Sequence, residues 1–128
     1  MKQIKLTIPQ VPLSENKIRG LMWTDYGKVQ LREIRDLWFD EVSLYCRGDI
    51  RLFERLPLKK AKLTIKIYFR TVRRRDTLNY PCKEVIDALV ENNFIIDDNF
   101  DVIGRPNIDI TGIDKKHPRT IIEIKEIK

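Results

Sequence analysis

Polar and apolar positions alternate with period two near both ends of the chain and recur at helical spacing between them. Ile4, Leu6 and Ile8 alternate with Lys5 and Thr7, which predicts a half-buried strand over residues 3–8 ending at Pro9. Pro9, Pro12, Ser14, Asn16 and Gly20 make residues 9–24 read as loop. From Asp25 to Arg47, Leu31, Ile34, Trp38, Val42 and Tyr45 recur at helical spacing, with Gly48 as the stop. The strongest strand signal covers residues 61–72, where Leu63, Ile65, Ile67 and Phe69 alternate with Thr64, Lys66, Tyr68 and Arg70.

A second helix is predicted over residues 79–92, with Asn79 as cap and Pro81 in its first turn. Cys82, Val85, Ile86, Leu89 and Val90 fill one arc of it, and Asn79, Lys83, Asp87 and Glu91 line the border. Residues 101–110 and 119–127 read as two further strands joined by a turn over 112–118. The order β-α-β-α-β-β predicts an α+β fold: one small mixed sheet carrying two main helices, a single domain over 1–128.

The 128 residues are 42% hydrophobic and 34% charged, which is globular rather than disordered. A net charge of +6 and a pI near 9.4 favour an anionic partner such as nucleic acid, and ribosomal or membrane-surface partners fit as well. No apolar run is long enough to span a bilayer, and Met1 to Lys5 lacks the apolar core of a secretory signal. Cys46 and Cys82 lack metal-type spacing and fall on apolar helix sides, so they read as buried free thiols in a reducing cytoplasm. His117, the sole histidine, gives little support to zinc or a catalytic triad. Trp23, Trp38, Tyr45 and Phe53 read as core or interface rather than base-stacking platforms.

Two charge clusters carry the candidate chemistry. Arg73, Arg74 and Arg75 abut Asp76, with Asn79 beyond, and about twenty residues on come Asp97, Asp98 and Asp101. Arginines neutralise phosphates, and carboxylate oxygens ligate Mg²⁺, which accepts one or two of them and keeps water for the rest. Asp76, Asp97, Asp98 and Asp101 are therefore the candidate metal ligands; the bland alternative is two solvated loops. A helix over 79–92 is about 20 Å long, so the acidic loop must fold back along it, towards Lys83 and Asp87, to share an ion with Asp76. Lys83 paired only with Asp87 four residues on is the plain reading of that lysine. Asn16, Lys17, Arg19 and Lys28 mark residues 10–24 and their surroundings as a DNA-facing segment.

Arg74-Arg75-Asp76-x-x-Asn79, Lys83, Ile86-Asp87-Ala88-Leu89, and Asp97-Asp98 followed by Val102 together resemble the RusA-type Holliday-junction resolvases. Pro12-Leu13-Ser14-x-Asn16-Lys17 and the helix containing Trp38 are similar to that family's amino-terminal half. The resemblance implies a small homodimeric endonuclease, often of phage or prophage origin, that resolves four-way DNA junctions with Mg²⁺ (or Mn²⁺) in recombination and repair. It implies Asp76 as first metal carboxylate, Asp98 as late catalytic aspartate, Lys83 near the scissile phosphate, Asn79 beside the acidic pair and Asp97 preceding the late aspartate. Asp87 matches a recurrent helix position, and Arg73, Arg74, Arg75, Asn79, Lys17 and Arg19 are the expected DNA contacts. The family reads Asp-x-Asp-Asn; here Leu78 stands at the second aspartate, and the path from Asn79 to Lys83 is one residue longer. One carboxylate fewer weakens Mg²⁺ binding; Asp101 replaces it only if the loop turns inward. A DNA-binding module on the same scaffold without catalysis, and a basic protein-interaction domain, are the rival expectations.

Overall fold

The computed structural model describes residues 3–46 and 56–127. Strands β1 (Gln3–Ile8), β2 (Ala61–Phe69), β3 (Asn107–Ile113) and β4 (Arg119–Glu126) form one sheet in the order β1-β4-β2-β3. The β1–β4 and β4–β2 pairs are antiparallel and β2–β3 is parallel, so the sheet is mixed. Helices α1 (Glu15–Leu21), α2 (Asp25–Ser43), α3 (Lys83–Glu91) and the short α4 (Phe100–Ile103) complete an α+β fold.

The alternation seen in the sequence becomes one buried face. Ile4, Leu6 and Ile8 of β1, Leu63, Ile65 and Ile67 of β2, and Ile122 and Ile124 of β4 all point into the core. Opposite them, Trp38 and Val42 of α2 and Val85, Ile86 and Leu89 of α3 close the second layer. Burying each such side chain removes apolar surface worth about 1.5–3 kcal/mol from water, and this term dominates the fold. The β1 edge is tied to the end of α2 through Tyr45: the Thr7 N–H donates to its hydroxyl at 3.0 Å, and that hydroxyl donates to the Thr7 carbonyl. Ile108 and Ile110 of β3 pack only partly against the core, as suits an edge strand.

Four expected elements are corrected. Residues 9–24 are not all loop: Ser14 caps α1 by accepting from the Lys17 N–H at 3.1 Å. The second helix starts at Lys83 and not at Asn79. Thr77–Asn79 form a 3₁₀ turn, and Cys82 sits in the left-handed region at φ 56°, a break that no capping signal foretells. The expected strand over 101–110 is α4 followed by β3, because Val102 and Ile103 bury themselves in one helical turn. Strand β2 ends at Phe69 rather than residue 72. Trp23 is exposed, whereas Trp38 is in the core as expected. Cys82 is a buried free thiol, pushed up to about 12 chiefly by burial, and so unreactive. Gly48, Phe53 and the Cys46 side chain lie outside the described residues. Among the described residues no helix is long and apolar enough to cross a membrane.

Candidate functional site

Beyond β2 the chain leaves the sheet through an exposed basic segment whose shape is set from inside. The half-buried Arg75 lays its guanidinium over the Phe69 ring, 3.9 Å from the centroid, and Phe69 in turn packs on Tyr80 at 5.2 Å. The same guanidinium donates to the Thr71 carbonyl at 2.8 Å and to the Thr71 hydroxyl at 3.2 Å. Arg75 is thus engaged inward, while Arg73 and Arg74 stay exposed to solvent. Asp76 starts the 3₁₀ turn by accepting from the Leu78 N–H at 3.0 Å. Asn79 ends it and accepts from the Asn16 N–H at 3.3 Å, which pins the start of α1 beside the basic segment.

These residues line a cleft of about 640 Å³: Arg73, Arg74, Arg75, Asp76 and Asn79 on one side, Ser14 and Asn16 on α1's side, and Asp109 on β3. Asp109 is a site residue that the sequence analysis missed. Its signal was present: Asp109 alternates with Ile108 and Ile110, which puts it on the polar face of a strand paired with β2.

The second group of candidates gathers at the start of α3. Asn93 takes a left-handed conformation (φ 61°) just after α3, and Phe94 and Ile95 then bury themselves, Ile95 bridging to Leu58. This turns the chain back along the helix, so that Asp98, fifteen residues on, meets Lys83 at 3.3 Å. Lys83 also reaches Asp87 at 3.1 Å, one turn along α3. The Lys83 ammonium is therefore shared by two carboxylates and held above the usual lysine range, most by its hydrogen bond to Asp87. Asp98 is held below the usual carboxylate range, first by Lys83 and then by Asp97. Asp97 shapes the turn by accepting from the Asp98 N–H at 2.7 Å and from the Asn99 amide at 3.1 Å. Asp101 lies exposed in the first turn of α4.

The required fold-back of the acidic loop onto Lys83 and Asp87 is thus present. The structure does not gather Asp76, Asp97, Asp98 and Asp101 into one set: among the described residues no three His, Cys, Asp or Glu side chains stand close enough to hold an ion together. The donor chemistry still suits Mg²⁺, which needs only one or two ionised carboxylates and draws the rest of its shell from water. Asp98, ionised and partly exposed on a loop next to Asp97, offers that.

A second groove of about 480 Å³ is lined by Ile18, Met22, Lys28, Leu31, Lys83 and Asp87 among others. Its wall holds Glu84, buried to 8% exposure, whose carboxylate accepts from the Leu13 N–H at 3.1 Å. Burial raises the Glu84 pKa. Of the remaining expected DNA contacts, Lys17 and Arg19 are exposed on α1, and Arg19 pairs with Glu15 at 3.3 Å. No protein-family model matches the chain, and neither does any curated protein.

Proposed function

We propose that this protein is a Mg²⁺-dependent, structure-selective endodeoxyribonuclease that resolves four-way DNA junctions, as its resemblance to the RusA-type resolvases implies. The observation that carries the reading is the contact between Lys83 and Asp98. It joins the segment of the resemblance that runs from Arg74 to Lys83 with the one that holds Asp97 and Asp98. Asp98 and Asp76 would hold the ion, with help from Asp97 or Asp101. When bound, it polarises a phosphoryl oxygen and supplies hydroxide from water. The chain's own residues do the rest. Asp87 gives Lys83 a second carboxylate, so the ammonium keeps its charge and its position whether or not Asp98 is otherwise engaged. From there it neutralises charge on the scissile phosphate. Arg73 and Arg74 grip backbone phosphates, and Arg75 fixes the segment that carries them. Paired nicks require two sites related by a twofold axis, hence a homodimer.

The test is cleavage of synthetic four-way junctions with Mg²⁺ or Mn²⁺, beside Asp98→Asn. Metal-dependent paired nicking that the variant loses supports the reading; an equally active variant removes it. A second reading, junction binding without cleavage, is favoured by Leu78 and by the lack of a three-carboxylate cluster among the described residues. Salt-sensitive junction binding with no nicking under either ion would select it.

A further inference from the structure

The corner between α1 and α2 is built to present aromatic rings to solvent. Trp23 is 85% exposed there, and Tyr26, one turn on, 73%. Trp and Tyr are enriched at interfaces, and aromatic rings beside cations are what single-stranded or unstacked bases stack on. The corner is also closely packed. Thr24 caps α2 by accepting from the Gly27 N–H at 2.9 Å. The α1 backbone lies so close that a Cβ on Gly27 would fall 2.0 Å from the Leu21 carbonyl oxygen.

Its surroundings point to nucleic acid. Lys17, Arg19 and Lys28 are exposed around the corner, with Glu15 and Asp25 as the acidic side chains of the same stretch. Met22 and Lys28, at this corner, line the same groove as Lys83, so the corner and Lys83 border one concavity. On its other side, α1 is joined to the arginine cleft through Asn16 and Asn79. We infer that Trp23 and Tyr26 form a base-stacking wedge that engages unpaired or unstacked bases at the branch point, and so supply preference for branched over continuous duplex DNA. The inference rests on the DNA-acting reading above and adds residues which that reading does not use.

The experiment measures binding of the full chain to a four-way junction carrying 2-aminopurine at the branch and to a linear duplex of the same sequence, in EDTA at low salt. Trp23→Ala should weaken junction binding roughly tenfold and leave duplex binding nearly unchanged, with Trp23→Phe restoring most of the loss. Trp38 is buried, so the quencher-accessible tryptophan emission belongs to Trp23 and should become protected on adding junction. Arg74→Ala, by contrast, should weaken junction and duplex alike. Wild-type protein that binds neither DNA overturns the DNA-acting reading and this inference with it. Wild-type binding that Trp23→Ala leaves intact overturns the wedge alone. So does protection of Trp23 by raised protein concentration without DNA, which would assign the corner to contact between copies of the chain.

Discussion

Leu78 is 89% exposed in the turn between Asp76 and Asn79, so its side chain contributes almost nothing to the core. Replacing it should change stability by no more than about 0.5 kcal/mol. Leu78→Asp adds a carboxylate two residues from Asp76 and should lower the Mg²⁺ needed for half-maximal junction nicking by roughly tenfold, since ligand charge tunes cation affinity. An unchanged Mg²⁺ dependence would show that this position has no part in metal binding. Glu84 makes a second prediction at this scale. Its folded-state pKa is raised by burial above its ordinary value of 4.5, so the protonated side chain is the one the fold prefers. The stability it contributes is complete below about pH 4.5 and declines as pH rises through the raised folded value. Glu84→Gln keeps an oxygen for the Leu13 N–H and removes the charge. It should therefore raise Tm at pH 7–8 and give no gain near pH 4 in thermal melts. A loss at pH 7 would mean that the ionised carboxylate is stabilised by its neighbours.

Gly27 is where two elements meet, and it exists for clearance rather than for flexibility. Any Cβ there runs into the Leu21 carbonyl, which is backbone and cannot rotate away. Gly27→Ala should cost about 1–3 kcal/mol by denaturant unfolding and should also displace α1, the helix pinned to Asn79. A fully stable variant would mean that α1 is not fixed against α2. The same pair of helices shows what sequence can and cannot reveal. Strands β1, β2 and β4 and helix α2 each bury one face, so their periodicities are written in their residues. Helix α1 buries no residue, so it has no apolar stripe to read, and its local cues are the cap at Ser14 and the Glu15–Arg19 pair. Cys82 ends the approach to α3 in a left-handed conformation that thiol side chains seldom adopt, which Asn79 and Pro81 concealed behind a plausible capping pattern. The candidate site divides in the same way. Residue types and spacing marked Lys83, Asp87 and Asp98, but their meeting depends on Phe94 and Ile95 burying themselves near Leu58, a long-range event with no local signature. Asp109 reaches the arginine cleft only through parallel pairing of β3 with β2, which a linear reading did not weigh.

Across the whole molecule the excess positive charge is spread over more than one surface, and this sets a question that single contacts do not. The solvent face of the sheet carries Lys5, Lys62 and Lys125, with Lys62 directly opposite Lys125 across the β2–β4 ladder. Like charges so placed are mildly unfavourable. Lys66 on that face is neutralised by Glu123 at 2.6 Å, whereas Arg73 and Arg74 stand exposed at the cleft. If DNA lies in the cleft, Arg73 and Arg74 each release a counterion and the sheet lysines release none. Junction affinity measured from about 50 to 200 mM salt should then fall on a log–log line whose slope becomes shallower by about 1 in Arg74→Ala and stays unchanged in Lys62→Ala. Arg75→Ala should behave differently from both. Its guanidinium holds the segment through Phe69 and Thr71, so its loss should lower Tm and weaken binding by loosening Arg73 and Arg74. Equal slope changes in Arg74→Ala and Lys62→Ala would move binding from the cleft to the general basic surface.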